Sequence, residues 1–190
     1  MKEMLLDEST IRPATVEDAR SIEEVHVASW KTTYRNIFLA SLLEGLSVDQ
    51  RETGWKEILS QGGAGLTLVA CDSEGQVIGF ASCGAERIAT LSCDGVSCDG
   101  ELQAIYLLES VRGQGLGTLV VRRVARELQS RGFSSMVVWV LALNPYRKFY
   151  EALGGVKIGE KTIERGGQEF VEVAYGWQDL SFLEASQRDR

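Results

Sequence analysis

Arg112-Gly-Gln-Gly-Leu-Gly-Thr118 is the stretch on which the fold turns. Before it stands Glu101-Leu-Gln-Ala-Ile-Tyr-Leu-Leu108, an apolar run that reads as a strand. After it Leu116, Val120, Val124 and Leu128 step by four along one helical face, with Arg122, Arg123, Arg126 and Glu127 off it. Arg131-Gly132 ends that helix. A strand-to-helix turn of this kind gathers unpaired N–H groups and the positive end of the helix dipole. Gly113, Gly115 and Gly117 remove side chains that would block close approach. The physics predicts a bound anion, a phosphate or pyrophosphate; a plain glycine-rich connector has the same composition. A P-loop needs Lys-Ser/Thr after its last glycine, and Gly117 is followed by Thr118-Leu119. A dinucleotide fingerprint needs a third glycine where Thr118 stands. What remains is Arg/Gln-x-x-Gly-x-Gly/Ala, met by Arg112, Gly115 and Gly117.

Outward from the loop the elements alternate. Thr10-Ile-Arg-Pro13 predicts a short edge strand ended by Pro13. Thr15, with Asp18 three residues on, caps a helix that carries Ile22, Val25 and Ala28 and runs to about Trp30. A second helical region spans 39–59, broken around Gly45-Leu-Ser47. Leu66 to Cys71 and Gln76 to Ala85 form a hairpin across Asp72-Ser-Glu-Gly75. Ser134 to Leu143 is a buried strand. Asn144-Pro145 opens another helix, with proline at its first position, and Gly154-Gly155 closes it. Strands at 156–163 and 170–177 flank a turn at Gly166-Gly167. The order predicts an α/β fold, a mixed sheet layered with helices. The 190 residues suit a single domain, with a core of about 10–178 and a frayed tail over 181–190.

Composition narrows the function. Hydrophobic residues are 44% and charged residues 25%, as in a soluble globular domain. The net charge of −7 argues against nucleic acid, which needs clustered Lys and Arg, and leans towards a cationic ligand. The longest apolar run, Met136 to Leu143, is far short of a membrane span, and Met1 to Glu8 does not read as a signal peptide. A cytoplasmic protein with no membrane partner is expected. Cys93 and Cys98 lie in a duplication, Ser92-Cys-Asp-Gly95 and Ser97-Cys-Asp-Gly100. Their C-x4-C spacing, with the lone His26 far off, gives no zinc signature, and a polar surface loop is the simpler account.

The strand 101–107, the loop 112–118 and Asn144-Pro-Tyr-Arg-Lys-Phe-Tyr-Glu-Ala-Leu-Gly154 together resemble the GNAT (Gcn5-related) N-acetyltransferase family. Ile11-Arg-Pro-Ala-Thr-x-x-Asp18 and the hairpin 66–85 are also family-like. The resemblance implies the acyl-CoA N-acyltransferase fold, a central, mostly antiparallel sheet flanked by helices. It implies acetyl-CoA as co-substrate, no metal, and a small-molecule or peptide amine as acceptor. It places the CoA pyrophosphate on Arg112, Gly113, Gln114, Gly115, Leu116, Gly117 and Thr118. It pairs the pantetheine arm with Ile105, Tyr106 and Leu107 as an added strand, beside a bulge that the sequence itself does not reveal. Homodimers are common in the family, and no interface signature is visible here.

Acetyl transfer needs the acceptor's ammonium deprotonated, and an alkylammonium has a pKa of about 10.4. Glu101 stands eleven residues before Arg112, where the histone-acetylating branch carries its general base. The alternatives are an exposed strand-end carboxylate, and a water chain in place of any single base. Tyr150 is the residue that the resemblance assigns to protonating the CoA thiolate, a task suited to a phenol that stays protonated at neutral pH. Asn144 bonds the pantetheine by resemblance, or caps its helix. It lies six residues before Tyr150 where many relatives have seven. Trp30 and Tyr34 are the acceptor-side aromatics by resemblance, or core packing. His26 and Trp139 read as structural. The leading class is thus an N-acetyltransferase. The alternatives are a catalytically weak acyl-CoA-binding regulatory module, against which Tyr150 and Glu101 argue, and a nucleotide-binding module, against which the loop argues.

Overall fold

The computed structural model describes residues 10–61, 65–87, 98–181 and 183. Cys93 with most of the duplicated loop, and the tail from 184 on, lie outside the described residues. In chain order come β1 (Ile11–Pro13), α1 (Ala19–Thr33), α2 (Ala40–Glu44), α3 (Val48–Ser60), β2 (Leu66–Cys71), β3 (Val77–Ala85) and β4 (Gly100–Leu107). Then follow α4 (Leu116–Ser130), β5 (Met136–Leu141), α5 (Lys148–Ala152), β6 (Val156–Arg165) and β7 (Gln168–Trp177). The strands form a seven-stranded sheet of order β1-β2-β3-β4-β5-β7-β6. It is a mixed α/β fold with a mostly antiparallel sheet, in which β4 and β5 pair parallel.

Two compact units make up the chain. The first comprises Met1–Ser82 and Ala104–Arg123, the second Cys83–Gln103 and Val124–Arg190. β3, β4 and α4 each run from one into the other. In the first unit β1 pairs antiparallel with β2, and a cluster of Ile22, Val25, Val69, Cys71 and Phe80 forms the core. Asp72 shapes the β2–β3 turn: its Oδ1 accepts from the N–H groups of Glu74 and Gln76, both at 2.9 Å. In the second unit β7 pairs antiparallel with both β5 and β6. The β6–β7 ladder reaches Arg165 opposite Gln168, so the turn is only Gly166-Gly167. Both glycines have positive φ, 59° and 75°, as a two-residue type I′ turn requires.

The helical face read from the sequence is the buried face of α4: Leu116, Val120, Val124 and Leu128 are at most 1% exposed. Two expectations are corrected. Residues 145–147 form a turn, and α5 begins only at Lys148 rather than at Pro145. Thr15 caps a single 3-10 turn, Val16–Asp18, ahead of α1; Asp18 accepts from the Thr15 N–H at 2.8 Å and is clamped by Arg12. Leu180 and Leu183 are both buried, and the expected tail from 184 on lies outside the described residues. No described helix is long and apolar enough to cross a membrane.

Candidate active site

The glycine loop, the end of β4 and α1 belong to the first unit. The Leu107 carbonyl accepts two donors, Ser29 Oγ at 2.9 Å and Arg112 Nε at 3.0 Å. Arg112 also donates to Thr32 Oγ1 at 3.2 Å, and its backbone N–H to the Glu109 carbonyl at 3.3 Å. Gln114 Nε2 donates back to the Ser110 carbonyl at 2.8 Å. Two side chains expected at the cofactor thus bind the loop to its own surroundings. What the loop offers outward is main chain. Gly113 and Gly115 have φ of +74° and +89°, and a Cβ at either would meet nothing within 4 Å. Backbone conformation demands these glycines, and an open approach lies beside them. The first ladder bond of α4 runs from the Leu119 N–H to the Gly115 carbonyl at 3.2 Å. The N–H groups of Leu116, Gly117 and Thr118 therefore precede the ladder, at the positive end of a 15-residue helix. That donor set fits a pyrophosphate. The Leu107 carbonyl already holds two donors, so an added strand would pair with main chain earlier in β4. There Ile105 and Tyr106 are half-buried.

Trp30 and Tyr34 lie at the end of α1 and pack largely on each other. Their rings meet edge-on at 5.2 Å, and Trp30 stacks on Phe38 at 5.5 Å. Tyr34 is buried. The Trp30 Nε1 is buried as well and has no acceptor among the described residues.

Glu101, Asn144 and Tyr150 belong to the second unit. Glu101 is not an exposed strand-end carboxylate: it is 2% exposed. Nor are its oxygens idle. Arg87 donates from its backbone N–H and Nε to Oε2, at 3.1 and 3.0 Å, and from Nη2 to Oε1 at 2.7 Å. This is a two-pronged guanidinium–carboxylate pair. Asn144 Oδ1 accepts the Tyr146 N–H at 2.8 Å, the local turn that a capping asparagine makes. Tyr150 is buried on α5, its ring 6.0 Å from that of Tyr175 and 6.5 Å from that of Trp177. Gly155 permits this packing, since a Cβ there would lie 2.8 Å from the Trp177 ring. Tyr175 donates to Glu151 at 2.7 Å; burial and then that carboxylate push its phenol above the usual range. Trp139 packs against Cys98, Val137, Ile158 and Ala174, with Lys161 Nζ 4.0 Å over its ring, in keeping with a packing role.

Two features escaped the sequence reading. Arg87 is separated from Glu101 by 13 intervening residues with no pattern linking them. Glu23 is fully buried on α1, where its Oε2 accepts the Trp55 indole N–H at 2.8 Å and lies 3.2 Å from His26 Nδ1. The i,i+3 spacing of Glu23 and His26 was the available signal. The described residues hold no metal-binding cluster of three or more His, Cys, Asp or Glu. Cys71, Cys83 and Cys98 are free and buried, and burial raises each thiol, Cys83 to about 11.

Residues 77–164 match the family of FR47-like proteins. The chain is 41% identical over 174 residues to the uncharacterized N-acetyltransferase YuaI of Bacillus subtilis (strain 168), covering 92% of this chain and 95% of that one. Solved structures share the fold at lower identity. A GCN5-related N-acetyltransferase from Rhodopseudomonas palustris superimposes with a TM-score of 0.67 at 20% identity, over 88% of this chain and 94% of that one. The PaiA N-acetyltransferase of Thermoplasma acidophilum, solved with coenzyme A, gives 0.62 at 18% identity, over 88% and 98%. An N-acetyltransferase from Staphylococcus aureus Mu50 gives 0.64 at 20%, over 90% and 97%. With the strand, the glycine loop and the tyrosine helix in family order and a relative matched nearly end to end, the chain belongs to the GNAT family of N-acetyltransferases.

Proposed function

We propose that this enzyme transfers the acetyl group of acetyl-CoA to a primary amine of a small molecule or peptide, by direct attack of the amine on the thioester. The observation that carries the reading is the loop from Gly113 to Thr118, where open glycines meet the unladdered N–H groups of α4. A structural relative solved with coenzyme A supports the same co-substrate. Bound there, acetyl-CoA would supply an activated acyl carbon. The residues of this chain hold and orient it: the N–H groups of Gly113 to Thr118 bind the pyrophosphate, and the main chain of Ile105 and Tyr106 lines the arm.

Direct attack fits the cysteines. A cysteine acyl-enzyme needs a thiolate, and among the described cysteines burial raises the thiols of Cys71, Cys83 and Cys98 and disfavours that form. Those free thiols also suit a reducing, cytoplasmic setting. Tyr150 is the acid in this reading, donating its phenolic proton to the departing sulfur. Glu101 fits an anchoring role better than that of base, since Arg87 already occupies both its oxygens. The charge of −7 favours a cationic acceptor over nucleic acid.

The test is thermal. Saturating CoA or acetyl-CoA should raise Tm, and ATP and NAD should not. A ligand at a hundred times its Kd adds about 2.7 kcal/mol. No shift with CoA in a folded sample would remove the assignment.

A further inference from the structure

Glu101 is occupied, yet the acceptor's ammonium must still lose a proton. We propose that His26, held by the buried carboxylate of Glu23, takes it; this rests on the acetyl-transfer reading above. His26 is the single histidine in the chain. It is 9% exposed, on the α1 face that looks onto β4. Its Nδ1 stands 3.2 Å from Glu23 Oε2, which fixes the ring and leaves Nε2 for a second partner. A histidine oriented through one nitrogen by a buried carboxylate, with the other nitrogen presented, is the arrangement of a general base.

The placement fits the task. The His26 ring lies 4.7 Å from that of Tyr106, on the strand expected to hold the acyl donor's arm. It lies 5.6 Å from Trp30, whose buried indole N–H has no acceptor among the described residues. An orphaned donor of that kind calls for a partner, and an oxygen of the bound acceptor or acetyl group would supply one. The groups bearing on the imidazole are few. Glu23 comes from α1, and Arg51 from α3 has its Nε 3.2 Å from Glu23 Oε1. Trp55, also from α3, donates to Glu23, and Phe80 and Tyr106 bring aromatic faces from the sheet.

The step balances as follows. The alkylammonium gives one N–H proton to His26 Nε2. The freed lone pair attacks the thioester carbonyl carbon, and the C–S bond breaks as the C–N bond is made. Tyr150 gives its phenolic proton to the departing sulfur and regains one from solvent, the amine's second N–H proton passes to solvent, and His26 releases its proton to solvent.

The experiment compares two acceptors in a CoA-release assay with acetyl-CoA, corrected for the uncatalysed reaction. One is the best substrate from a primary-alkylamine panel, protonated at pH 7. The other is hydroxylamine, which is neutral at pH 7 and needs no base. The variant is His26→Asn, whose amide N–H can still serve Glu23. Loss of roughly 10²–10⁴-fold in kcat/KM with the alkylamine, and less than about fivefold with hydroxylamine, is expected. Glu23→Gln, which removes the charge behind the ring and keeps its shape, should show the same split between the two acceptors. Equal losses with both acceptors, or no loss with either, overturn the proposal. So does CoA that binds the wild type yet is released with neither amine. Failure of CoA to bind sinks the acetyl-transfer reading instead, and the thermal-shift measurement tells the two apart.

Discussion

Glu101 and Glu23 are the same residue under nearly the same burial, 2% and 0% exposed, one in each compact unit. Their partners set them apart. Glu101 meets one guanidinium that grips both oxygens, on an Arg87 side chain that is itself 61% exposed. Glu23 meets an indole N–H and an imidazole, with Arg51 close to its other oxygen but in no hydrogen bond. A carboxylate held bidentately by arginine has both oxygens committed to charge-assisted hydrogen bonds. A carboxylate against one nitrogen of a histidine orients that ring and leaves its other nitrogen for a further partner. Burial alone does not tell one carboxylate setting from the other; the donors around it do.

The largest expected effects test the two carboxylates as structure. Glu23→Ala leaves the indole N–H of half-buried Trp55 and a buried imidazole without their partner, so a loss of about 3 kcal/mol is expected. Glu101→Ala leaves Arg87, which can turn into water, so about 1–2 kcal/mol is expected. Urea denaturation of both variants gives the order directly. A larger loss for Glu101→Ala would reverse the contrast.

The next effects are catalytic. Tyr150→Phe keeps the ring packed against Tyr175 and Trp177 and removes only the hydroxyl. A fall in kcat of about 100-fold with CoA affinity unchanged is expected, the low end for a general acid because a thiolate leaves readily. A change under twofold, with chemistry limiting, would make Tyr150 a packing residue. Glu101→Gln should cost less than about tenfold in kcat. A loss of 10²-fold or more would restore Glu101 as the base and break the contrast with Glu23. At the loop, main chain rather than a carboxylate handles charge. Gly115→Val puts a branched side chain at φ +89° beside the open approach. Strain of about 1–2 kcal/mol and a CoA Kd weakened at least about tenfold are expected, read by calorimetry. An unchanged Kd would move the phosphate site elsewhere.

Much of this was legible in the sequence because it is local. The step of four from Leu116 to Leu128, the hairpin turns at Asp72 and Gly166-Gly167, and the break at Gly45 each follow from backbone and side-chain rules within a few residues. The start of α5 was misplaced because proline at 145 suits a turn as well as a first helical position. The loop's glycines were legible; the use of Arg112 and Gln114 to tie the loop to Leu107, Thr32 and Ser110 was not. The partners of Glu101 and Glu23 were hidden for the same reason. Arg87 and Trp55 stand 14 and 32 positions away, and only the tertiary fold brings them in.

The smallest effect comes from a third carboxylate, two residues from Glu101. Asp99 is exposed and, among the described residues, has no cation in its hydrogen-bond set. Its Oδ2 accepts the N–H and hydroxyl of Ser134 at 2.8 and 2.9 Å, and its Oδ1 those of Ser135 at 2.9 and 2.7 Å. Its surroundings would by desolvation raise its pKa, but the four donors outweigh that and hold it down at about 2, against an ordinary 3.8. A depressed folded-state pKa adds stability that is fully present above 3.8 and lost as pH falls through about 2. Solvent screening at an exposed site reduces the effect to about 1 kcal/mol or less. Asp99→Asn should therefore narrow the stability gap to wild type between pH 5 and about pH 2, measured as Tm against pH. A gap that stayed constant over that range would mean that the serine donors hold a neutral amide as well as an anion. Charge would then matter less at Asp99 than at Glu101, and the arginine would be the feature that separates them.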